Sequence, residues 1–390
     1  MCVESIMFSL IRNEICENAP DEFVKDELSS EMLKELFELS DKHDIAHIVA
    51  SALSKIGLLN NNEKISILFK KTLKKAIYRD VQREYLLVQI NNILENAKIS
   101  HMMLKGATLC QYYPESWMRT SCDIDVLVKT ENAESAIEYL CKAGFVRIKD
   151  DSTHNYNLIA ENGMHIELHY TLSQDGELVA AESVLNKIWD EAIRTENHKY
   201  LYQMPIEQFF LYHLVHMGRH LLHGGCGIRP FIDLWILECK AIYDEYELET
   251  IFSNVGLLSF YKNASALGKV WMENKEHTET TKLLEKYVLF GGTYGNSKNS
   301  AQIQAAKGTS KIKAFIRLMF LPRENLEVIY PNLKKHQYLF YLYQIKRWFR
   351  IFNKKRRNKV KHLTKARNSI TQIDVDVTKN MLEHIGLLDK

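Results

Sequence analysis

The sequence predicts an α+β protein in which a small mixed β-sheet lies between two helical regions. Glycine and proline are scarce, at 16 and 6 of 390 residues, and this composition favours helices over long loops. Apolar residues recur at helical spacing over residues 22–95, whereas residues 98–172 alternate between short strands and helices and end in antiparallel strands.

The N-terminal region is predicted to be helical. The segments SEMLKELFELSDKHDIAHIVASALSKIG (30–57) and DVQREYLLVQINNILENAK (80–98) repeat their apolar residues every three or four positions. The next segment, HMMLK (101–105), is a short strand that meets Gly106. ATLCQYY (107–113) is then a brief helix that stops before a proline.

The central region is predicted to complete the sheet. DIDVLV (123–128) and FVRIK (145–149) are strands on either side of the helix ENAESAIEYLCKAG (131–144). HNYNLIA (154–160) and MHIELHY (164–170) form an antiparallel hairpin, because the three residues between them, ENG, have turn chemistry.

Helical spacing returns from about residue 205 to residue 300, with a break at GGCG (224–227). The polar, glycine-rich stretch 291–311 is predicted to be a loop. These patterns predict an N-terminal helical region, a core that holds the sheet, a C-terminal helical domain and a basic helical tail, at residues 1–95, 96–200, 201–335 and 336–390.

The composition predicts a soluble globular protein of the cytoplasm. Hydrophobic residues make up 46% and charged residues 26% of the chain. Glu4 and Arg12 interrupt the apolar patches at the start, so neither a signal peptide nor a membrane span is expected. The seven cysteines include no CxxC pair, which fits free thiols in a reducing compartment.

Two aspartates open the strand DIDVLV. Asp123 and Asp125 share one face of it, because side chains alternate along a strand. Their like charges repel, and a divalent cation such as Mg²⁺ would neutralise them. Glu167, in HIELH, could complete a set of three carboxylates that holds two metal ions for phosphoryl or nucleotidyl transfer. The alternative is a pair of solvated carboxylates at the mouth of a strand.

Gly106 adds a feature of a phosphate site, since a glycine before a helix lets the backbone approach an anion. This layout resembles the DNA polymerase beta-type nucleotidyltransferase superfamily. It more closely resembles a bacterial group of uncharacterised nucleotidyltransferases with a KG..L turn, a YP....R...DID.LV run and an H-hydrophobic-E/D-L-H strand. The matching residues are Lys105, Gly106, Ala107, Arg119, Ser121, Asp123, Ile124, Asp125 and Glu167. The resemblance is expected to extend from DKHDIAHIV (41–49) to FLPRENLEVIYPNLKK (320–335).

The resemblance implies an enzyme that moves a nucleoside monophosphate from an NTP, such as ATP, to a hydroxyl acceptor and releases pyrophosphate. Asp123 and Asp125 would bind two Mg²⁺ or Mn²⁺ ions, and Glu167 would bind the ion that activates the acceptor. Gly106 and the helix after it would hold the triphosphate. On this basis Asp125→Ala is expected to abolish transfer and to leave the fold intact, or more stable through relief of repulsion.

The turn departs from the Gly-Gly-Ser or Gly-Ser pattern of the superfamily. Thr108, or Lys105 as a point charge, would replace the serine as the phosphate contact, although Lys105 could equally be solvated. Arg119 would either clamp a phosphate or form a salt bridge to the carboxylates. Ala107 and Ser121 complete the predicted nucleotide-binding set.

His165 and His169 flank Glu167 on its face of the predicted strand. They could form hydrogen bonds around the carboxylates, or contact the substrates in the cleft. A zinc site would need a third ligand, which the sequence does not place.

Four more histidines lie on one arc of a predicted helix, in YHLVHMGRHLLHGG: His213, His216, His220 and His223. His216 and His220, with Arg229 further on, are predicted to contact the nucleotide or the acceptor. The alternatives are a helix packed against a neighbour, whose partly buried histidines are hydrogen-bonded, and a metal site made of histidines alone.

The segment 346–367 carries eleven Lys or Arg and no acidic residue, mixed with aromatic side chains. Simple solvation, nucleic-acid binding and contact with an anionic membrane surface remain open for this tail. The leading hypothesis for the chain is a nucleotidyltransferase whose acceptor is RNA such as tRNA, a sugar, a small metabolite or a protein. The alternatives are a catalytically idle nucleotide- or RNA-binding module and a peripheral membrane scaffold.

Overall fold

The computed structural model describes residues 2–17, 28–59, 63–148, 154–173, 177–293, 295–308, 336–351 and 368–388, with isolated positions between 320 and 333. Within these residues it confirms the predicted α+β class, because helices flank a mixed sheet of seven strands. The division into four regions stays a prediction.

The N-terminal region consists of helices, as its apolar spacing predicts. They are α1 Val3–Ile15, α2 Ser30–Lys42, α3 Ala46–Lys55 and α4 Lys64–Asn96. Ser29 caps α2, since its hydroxyl accepts a hydrogen bond from the Met32 amide. Residues 22–27, which the sequence also predicts to be helical, lie outside the described residues.

The sheet has the order β3-β4-β5-β2-β1-β7-β6. Its strands are β1 His101–Met103, β2 Asp123–Val128, β3 Val146–Ile148, β4 Asn155–Ile159, β5 His165–His169, β6 Ile193–Arg194 and β7 Leu201–Gln203. The predicted hairpin is β4 and β5, which pair antiparallel. β2 runs parallel to β5, and β1 runs antiparallel to β2. The short strands β6 and β7 were not predicted.

The two faces of the sheet differ in character. Ile124, Val126, Ile166 and Leu168 are buried in an apolar cluster with side chains of α4 and of α6 (Ala133–Lys142). Because side chains alternate along β2 and β5, their polar residues point to the opposite face. The sheet is therefore packed at its back and carries polar chemistry at its front.

The C-terminal region consists of helices. They are α7 Val179–Leu185, α8 Ile188–Glu191, α9 Ile206–Leu222, α10 Arg229–Lys240, α11 Glu245–Asn254, α12 Leu258–Glu273, α13 Glu279–Gly291, α14 Ser297–Ala306, α15 Phe340–Ile351 and α16 Gln372–His384. The predicted break at 224–227 separates α9 from α10, where Gly224 and Gly225 have φ values of 125° and 139°. Phe8 of α1 stacks on Trp271 of α12, with ring centroids 4.7 Å apart, so the N-terminal and C-terminal helices share one core.

The prediction of a loop over residues 291–311 is wrong, because α14 forms within it. Asn296 caps this helix by accepting a hydrogen bond from the Asn299 amide at 2.8 Å, and α14 packs against α16. The polar composition concealed a helix that tertiary packing stabilises. Residues 309–311 lie outside the described residues.

The basic segment begins in α15, and its residues 352–367 lie outside the described residues. The interpretations of this tail as solvated, bound to nucleic acid or bound to a membrane therefore stay predictions. Across the part of the chain that the structure describes, no helix combines the length and hydropathy that crossing a membrane requires.

Candidate active site

Three carboxylates meet on the polar face of the sheet, where two parallel strands run side by side. Asp125 of β2 is paired in register with Glu167 of β5, and Asp123 is paired with His165. The alternation of β2 places Asp123 on the same face as Asp125. The strands are about 40 residues apart in sequence, so only the parallel pairing brings the acidic residues together.

Asp125 is 2% exposed and is held from two sides. Its Oδ1 accepts hydrogen bonds from the Lys105 ammonium at 2.7 Å and from His169 Nε2 at 2.9 Å. Burial by itself would raise the pKa of Asp125, but the Lys105 charge and the His169 hydrogen bond outweigh it and hold the pKa below its usual value. Asp125 is therefore ionised, and its charge is compensated by Lys105 and His169.

His169 lies beneath the carboxylates and links two of them. Its Nε2 is also 3.3 Å from a Glu167 oxygen. Burial would lower the pKa of His169, but the hydrogen bonds to Asp125 and Glu167 raise it above its usual value. The predicted role of His169 in hydrogen bonding around the carboxylates fits this geometry.

Asp123 is in a different environment from Asp125. Its Oδ1 accepts a hydrogen bond from the Ser121 hydroxyl at 2.8 Å. Burial and the nearby charge of Asp125 raise its pKa, because both disfavour the ionised form. An added positive charge beside Asp123 would therefore favour its ionised form.

Lys105 occupies a turn that normally requires glycine. The Ala107 amide donates a hydrogen bond to the Leu104 carbonyl at 3.2 Å, and Lys105 between them has φ 44° and ψ −118°. These are the angles of the first central residue of a type II′ turn. A lysine in this conformation costs about 1–3 kcal/mol of backbone strain.

The helix that follows this turn is α5, Gly106–Leu109. A Cβ on Gly106 would lie 3.1 Å from Ser121 Cβ and 3.2 Å from Ser121 Oγ, closer than ordinary van der Waals contact, so a side chain here requires Ser121 to shift. Thr108 donates its hydroxyl to the Met103 carbonyl at 3.0 Å, and neither Ala107 nor Thr108 lines the cleft described below. The hydroxyl suggested as a phosphate contact is engaged within the turn.

Arg119 forms its salt bridge with Asp233 of α10 and not with the carboxylates of the sheet. Arg119 Nε donates to Asp233 Oδ1 at 2.7 Å, and the Tyr113 hydroxyl donates to the same oxygen at 2.7 Å. Asp233 is fully buried, and its Oδ2 accepts no hydrogen bond from the residues that the structure describes. Arg83 of α4 donates to the Arg119 carbonyl at 2.9 Å, which fixes the backbone before β2.

The opposite wall is the face of α9 that carries Tyr212, His216 and Arg219 at positions i, i+4 and i+7. His216 Nε2 lies 3.1 Å from His220 Nε2. Burial lowers the pKa of His216 well below its usual value and that of His220 to about 4, so this pair is neutral at pH 7. Arg219 donates to a Glu182 oxygen at 2.7 Å.

The other residues of the predicted arc make backbone contacts. His213 Nε2 donates to the Pro230 carbonyl at 2.8 Å, and His223 Nδ1 donates to the Arg219 carbonyl at 2.7 Å. Arg229 pairs with Asp44 at 2.7 Å. His213 and His223 are thus hydrogen-bonded to backbone carbonyls, as the packed-helix alternative predicts, and both also line the cleft described below.

The sheet face and α9 enclose a cleft of about 440 Å³, a size that suits a small ligand. The sequence-predicted residues that line it are Lys105, Gly106, Arg119, Ser121, Asp123, Asp125, Glu167, His213, His216, His220, His223 and Arg229. His165 is exposed and His169 is buried, and neither side chain lines the cleft. The cleft thus combines the three carboxylates of the sheet, and those of Glu177, Glu182 and Asp233, with the cationic side chains of Lys105, Arg119, Arg219 and Arg229.

The residues present fit a divalent cation. One ligand atom each from Asp125, Glu167 and His169 lie within 4.8 Å of one another. Because His169 Nε2 donates to Asp125, the two carboxylates would supply the ligand oxygens of this group. Asp123 is outside this group but lines the same cleft. Carboxylate oxygens are the ligands that Mg²⁺ and Mn²⁺ prefer, and the raised pKa of Asp123 reflects a negative charge that a cation would offset.

The comparison with known families agrees with this geometry. A family described as uncharacterised nucleotidyltransferases matches residues 29–273. The chain belongs to this family. The match confirms the family predicted from the sequence and contains the whole sheet and helices α9 to α12, but it ends before FLPRENLEVIYPNLKK. A search of curated proteins found no match.

Several residues of this nucleotidyltransferase-family site were not singled out by sequence reasoning. Tyr212 lines the cleft with the acidic residues, and Arg219 and Glu182, which also line it, form a buried ion pair. Tyr212 and Arg219 share the helical spacing of the predicted His216, and this spacing could have identified both of them. Glu182 lies on a separate short helix, and no pattern in the sequence connects it to Arg219.

Proposed function

We propose that the protein is a metal-dependent nucleotidyltransferase that moves a nucleoside monophosphate from an NTP to a hydroxyl acceptor. The acceptor oxygen forms a bond to the α-phosphorus, the bond between the α- and β-phosphates breaks, and pyrophosphate leaves. The observation that carries this proposal is the convergence of Asp123, Asp125 and Glu167 on one cleft of a chain that belongs to a nucleotidyltransferase family.

Asp123, Asp125 and Glu167 would hold the divalent ions. When bound, Mg²⁺ would supply positive charge to the triphosphate and lower the pKa of the acceptor hydroxyl. The side chain of Glu167 is 29% exposed, whereas that of Asp125 is 2% exposed. Glu167 would therefore take the proton of the acceptor hydroxyl.

The cations of the cleft would bind and orient the nucleotide. Arg119 is fixed by Asp233 and Tyr113, so its guanidinium is pre-oriented beside Gly106. Because Gly106 has no side chain, its backbone could approach the phosphates, and the Ser121 hydroxyl would contact them as well. The neutral imidazoles of His216 and His220 would face the nucleotide or the acceptor from α9, where they can accept or donate hydrogen bonds.

The acceptor is an RNA end such as that of tRNA, a sugar, a small metabolite or a protein. The basic segment 346–367 favours RNA, since clustered Lys and Arg bind phosphate backbones. The second candidate function is a catalytically idle nucleotide- or RNA-binding module. The three carboxylates in one cleft argue against it, because an idle module has no need to keep them together.

The test is transfer of label by the full chain. Each α-³²P-labelled NTP is incubated with Mg²⁺ or Mn²⁺ and with total RNA or cell extract, and label is followed into RNA, small molecules and protein. Asp123→Asn is the inactive comparison, and Asp190→Asn, an exposed aspartate outside the cleft, is the matched control. Label transferred by wild type and Asp190→Asn alone supports the proposal and identifies the acceptor class.

The absence of transferred label, together with NTP binding that does not depend on metal, would support the idle module. Equal labelling by Asp123→Asn and wild type would contradict the assigned role of the carboxylates.

A further inference from the structure

Lys105 adopts backbone angles that favour glycine, and the presence of a lysine at this position requires an explanation. Asn274, which also has a positive φ, adopts ordinary left-handed geometry at φ 56° and ψ 33°. Lys105, at φ 44° and ψ −118°, lies outside that region. A strained residue at a candidate active site is kept when its side chain supplies something that glycine cannot.

What the side chain supplies is a positive charge among the carboxylates. Lys105 Nζ lies 2.7 Å from Asp125 Oδ1, and the lysine side chain is only 21% exposed. His169 occupies the same oxygen. Asp125 Oδ2 is the one oxygen of this carboxylate that accepts no hydrogen bond from the described residues, so it alone is open to a metal ion.

A carboxylate that bridges two metal ions generally uses both oxygens. Asp125 cannot do so while Lys105 and His169 hold Oδ1. The geometry therefore leaves Asp125 with the capacity for one ion.

We propose that Lys105 is a built-in cation that takes the place of one of the two divalent ions, so that the cleft binds a single ion together with the nucleotide. This inference rests on the proposed function, and it changes the predicted stoichiometry. Lys105 acts here by pairing with Asp125 and orienting it, while the remaining ion contacts the substrate.

The experiment counts bound Mn²⁺ per chain by equilibrium dialysis and atomic absorption. The full chain is saturated with the α,β-methylene analogue of ATP, GTP, CTP or UTP, whichever binds, because this analogue cannot be cleaved between its α- and β-phosphates. Melting temperatures in EDTA and in Mn²⁺ are measured on the same samples. Wild type is compared with Lys105→Met, which removes the charge, and with Lys105→Gly, which also relieves the backbone.

We expect one Mn²⁺ per chain in wild type and two in both variants. We also expect a lower melting temperature for Lys105→Met than for wild type in EDTA, and a larger gain on adding Mn²⁺. Lys98→Gly is the matched control, because Lys98 also has a positive φ, at 58°, but is exposed and does not line the cleft. Its Mn²⁺ count should equal that of wild type.

Two Mn²⁺ per wild-type chain would overturn the inference, as would a count of one in Lys105→Gly. If no NTP analogue binds, the proposed function fails. The Lys105 inference is then still decided by the nucleotide-free protein, in which each Lys105 variant must bind one Mn²⁺ more than wild type.

Discussion

Asp123 and Asp125 lie two residues apart on one face of β2, and the protein shifts their pKa values in opposite directions. Burial and the charge of Asp125 raise the pKa of Asp123. Burial also acts on Asp125, but the Lys105 charge and the His169 hydrogen bond hold its pKa down. The two carboxylates should therefore differ in what they contribute to folding, although both face the same cleft.

Asp123→Asn should leave the free energy of unfolding unchanged or increased, and should lower transfer at least about 100-fold. A raised pKa means that the folded protein disfavours ionised Asp123, so stability is lost as pH rises through that pKa and a neutral amide removes this cost. Urea unfolding at pH 7 measures it. Any gain should vanish at acidic pH, where Asp123 is protonated in wild type; a variant that unfolds more easily at pH 7 would contradict this account.

Asp125→Ala should destabilise the protein by about 3–5 kcal/mol, because it leaves the Lys105 ammonium buried without its partner. The ion pair reverses the sequence-based expectation that this change preserves or increases stability. A double-mutant cycle with Lys105→Met, followed by urea unfolding, provides the measurement. The double variant should lose less stability than the two single variants combined, and purely additive losses would show that the pair does not act as a unit.

Gly106→Ala should weaken NTP binding about 10-fold or more, equivalent to about 1.4 kcal/mol. The new methyl group would approach Ser121 to within 3.1–3.2 Å and would occupy the side of the turn that faces the cleft. Titration with a fluorescent NTP analogue gives the dissociation constant. Ala107→Gly, next in the chain but away from the cleft, is the control that should bind normally. Equal affinities for Gly106→Ala and wild type would exclude a close approach of phosphate to this turn.

Tyr113→Phe should cost about 1–3 kcal/mol of stability, since it removes one of the two donors to the buried Asp233 oxygen. Tyr112→Phe removes the same hydroxyl from the neighbouring residue, which is half-buried, and should cost less than about 0.5 kcal/mol. Thermal or urea unfolding of the two variants in parallel gives the comparison. Similar losses for both would mean that the Tyr113 hydroxyl does not stabilise the Arg119–Asp233 pair.

Stability should fall as the pH drops from 6.5 to 4, in part because His43 and His47 are buried as neutral imidazoles. Burial lowers the pKa of each to about 4. The folded pKa lies below the unfolded one, so the unfolded chain takes up these protons first, and stability is present above about pH 6.5 and lost toward pH 4.

His47→Gln isolates one of these two protons. Glutamine can still donate to the Met118 carbonyl, which His47 Nε2 contacts at 2.9 Å. The slope of the unfolding free energy against pH should then decrease by about 1.4 kcal/mol per pH unit, the value for one proton. An unchanged slope would show that His47 takes up no proton on unfolding.

The alternation in DIDVLV and HIELH was enough to predict two strands with their acids on one face, because period-two patterning is a local property. The sequence did not reveal the parallel register of Asp125 with Glu167, which depends on how distant strands pair. It also gave no indication of β6 and β7, which pair with each other and extend the sheet beside β1. The Arg119–Asp233 pair joins residues 114 positions apart, and only the tertiary structure brings them together.

The turn at Lys105 shows a different limit. A Lys-Gly sequence predicts a bend, but it does not predict that lysine will take the position that favours glycine. The backbone strain at Lys105 is offset by the contact of its ammonium with Asp125, and this contact is visible only in the tertiary structure.

The long helix α4 limits where the chain can be truncated. Leu86, Ile90 and Leu94 close the back of the sheet, and Arg83 of the same helix holds the backbone just before β2. A recombinant fragment that starts after residue 96 would expose that apolar surface to water and release the strand that carries both aspartates. Truncation should therefore yield aggregated protein and not a minimal enzyme, and trimming for crystallisation is better done elsewhere.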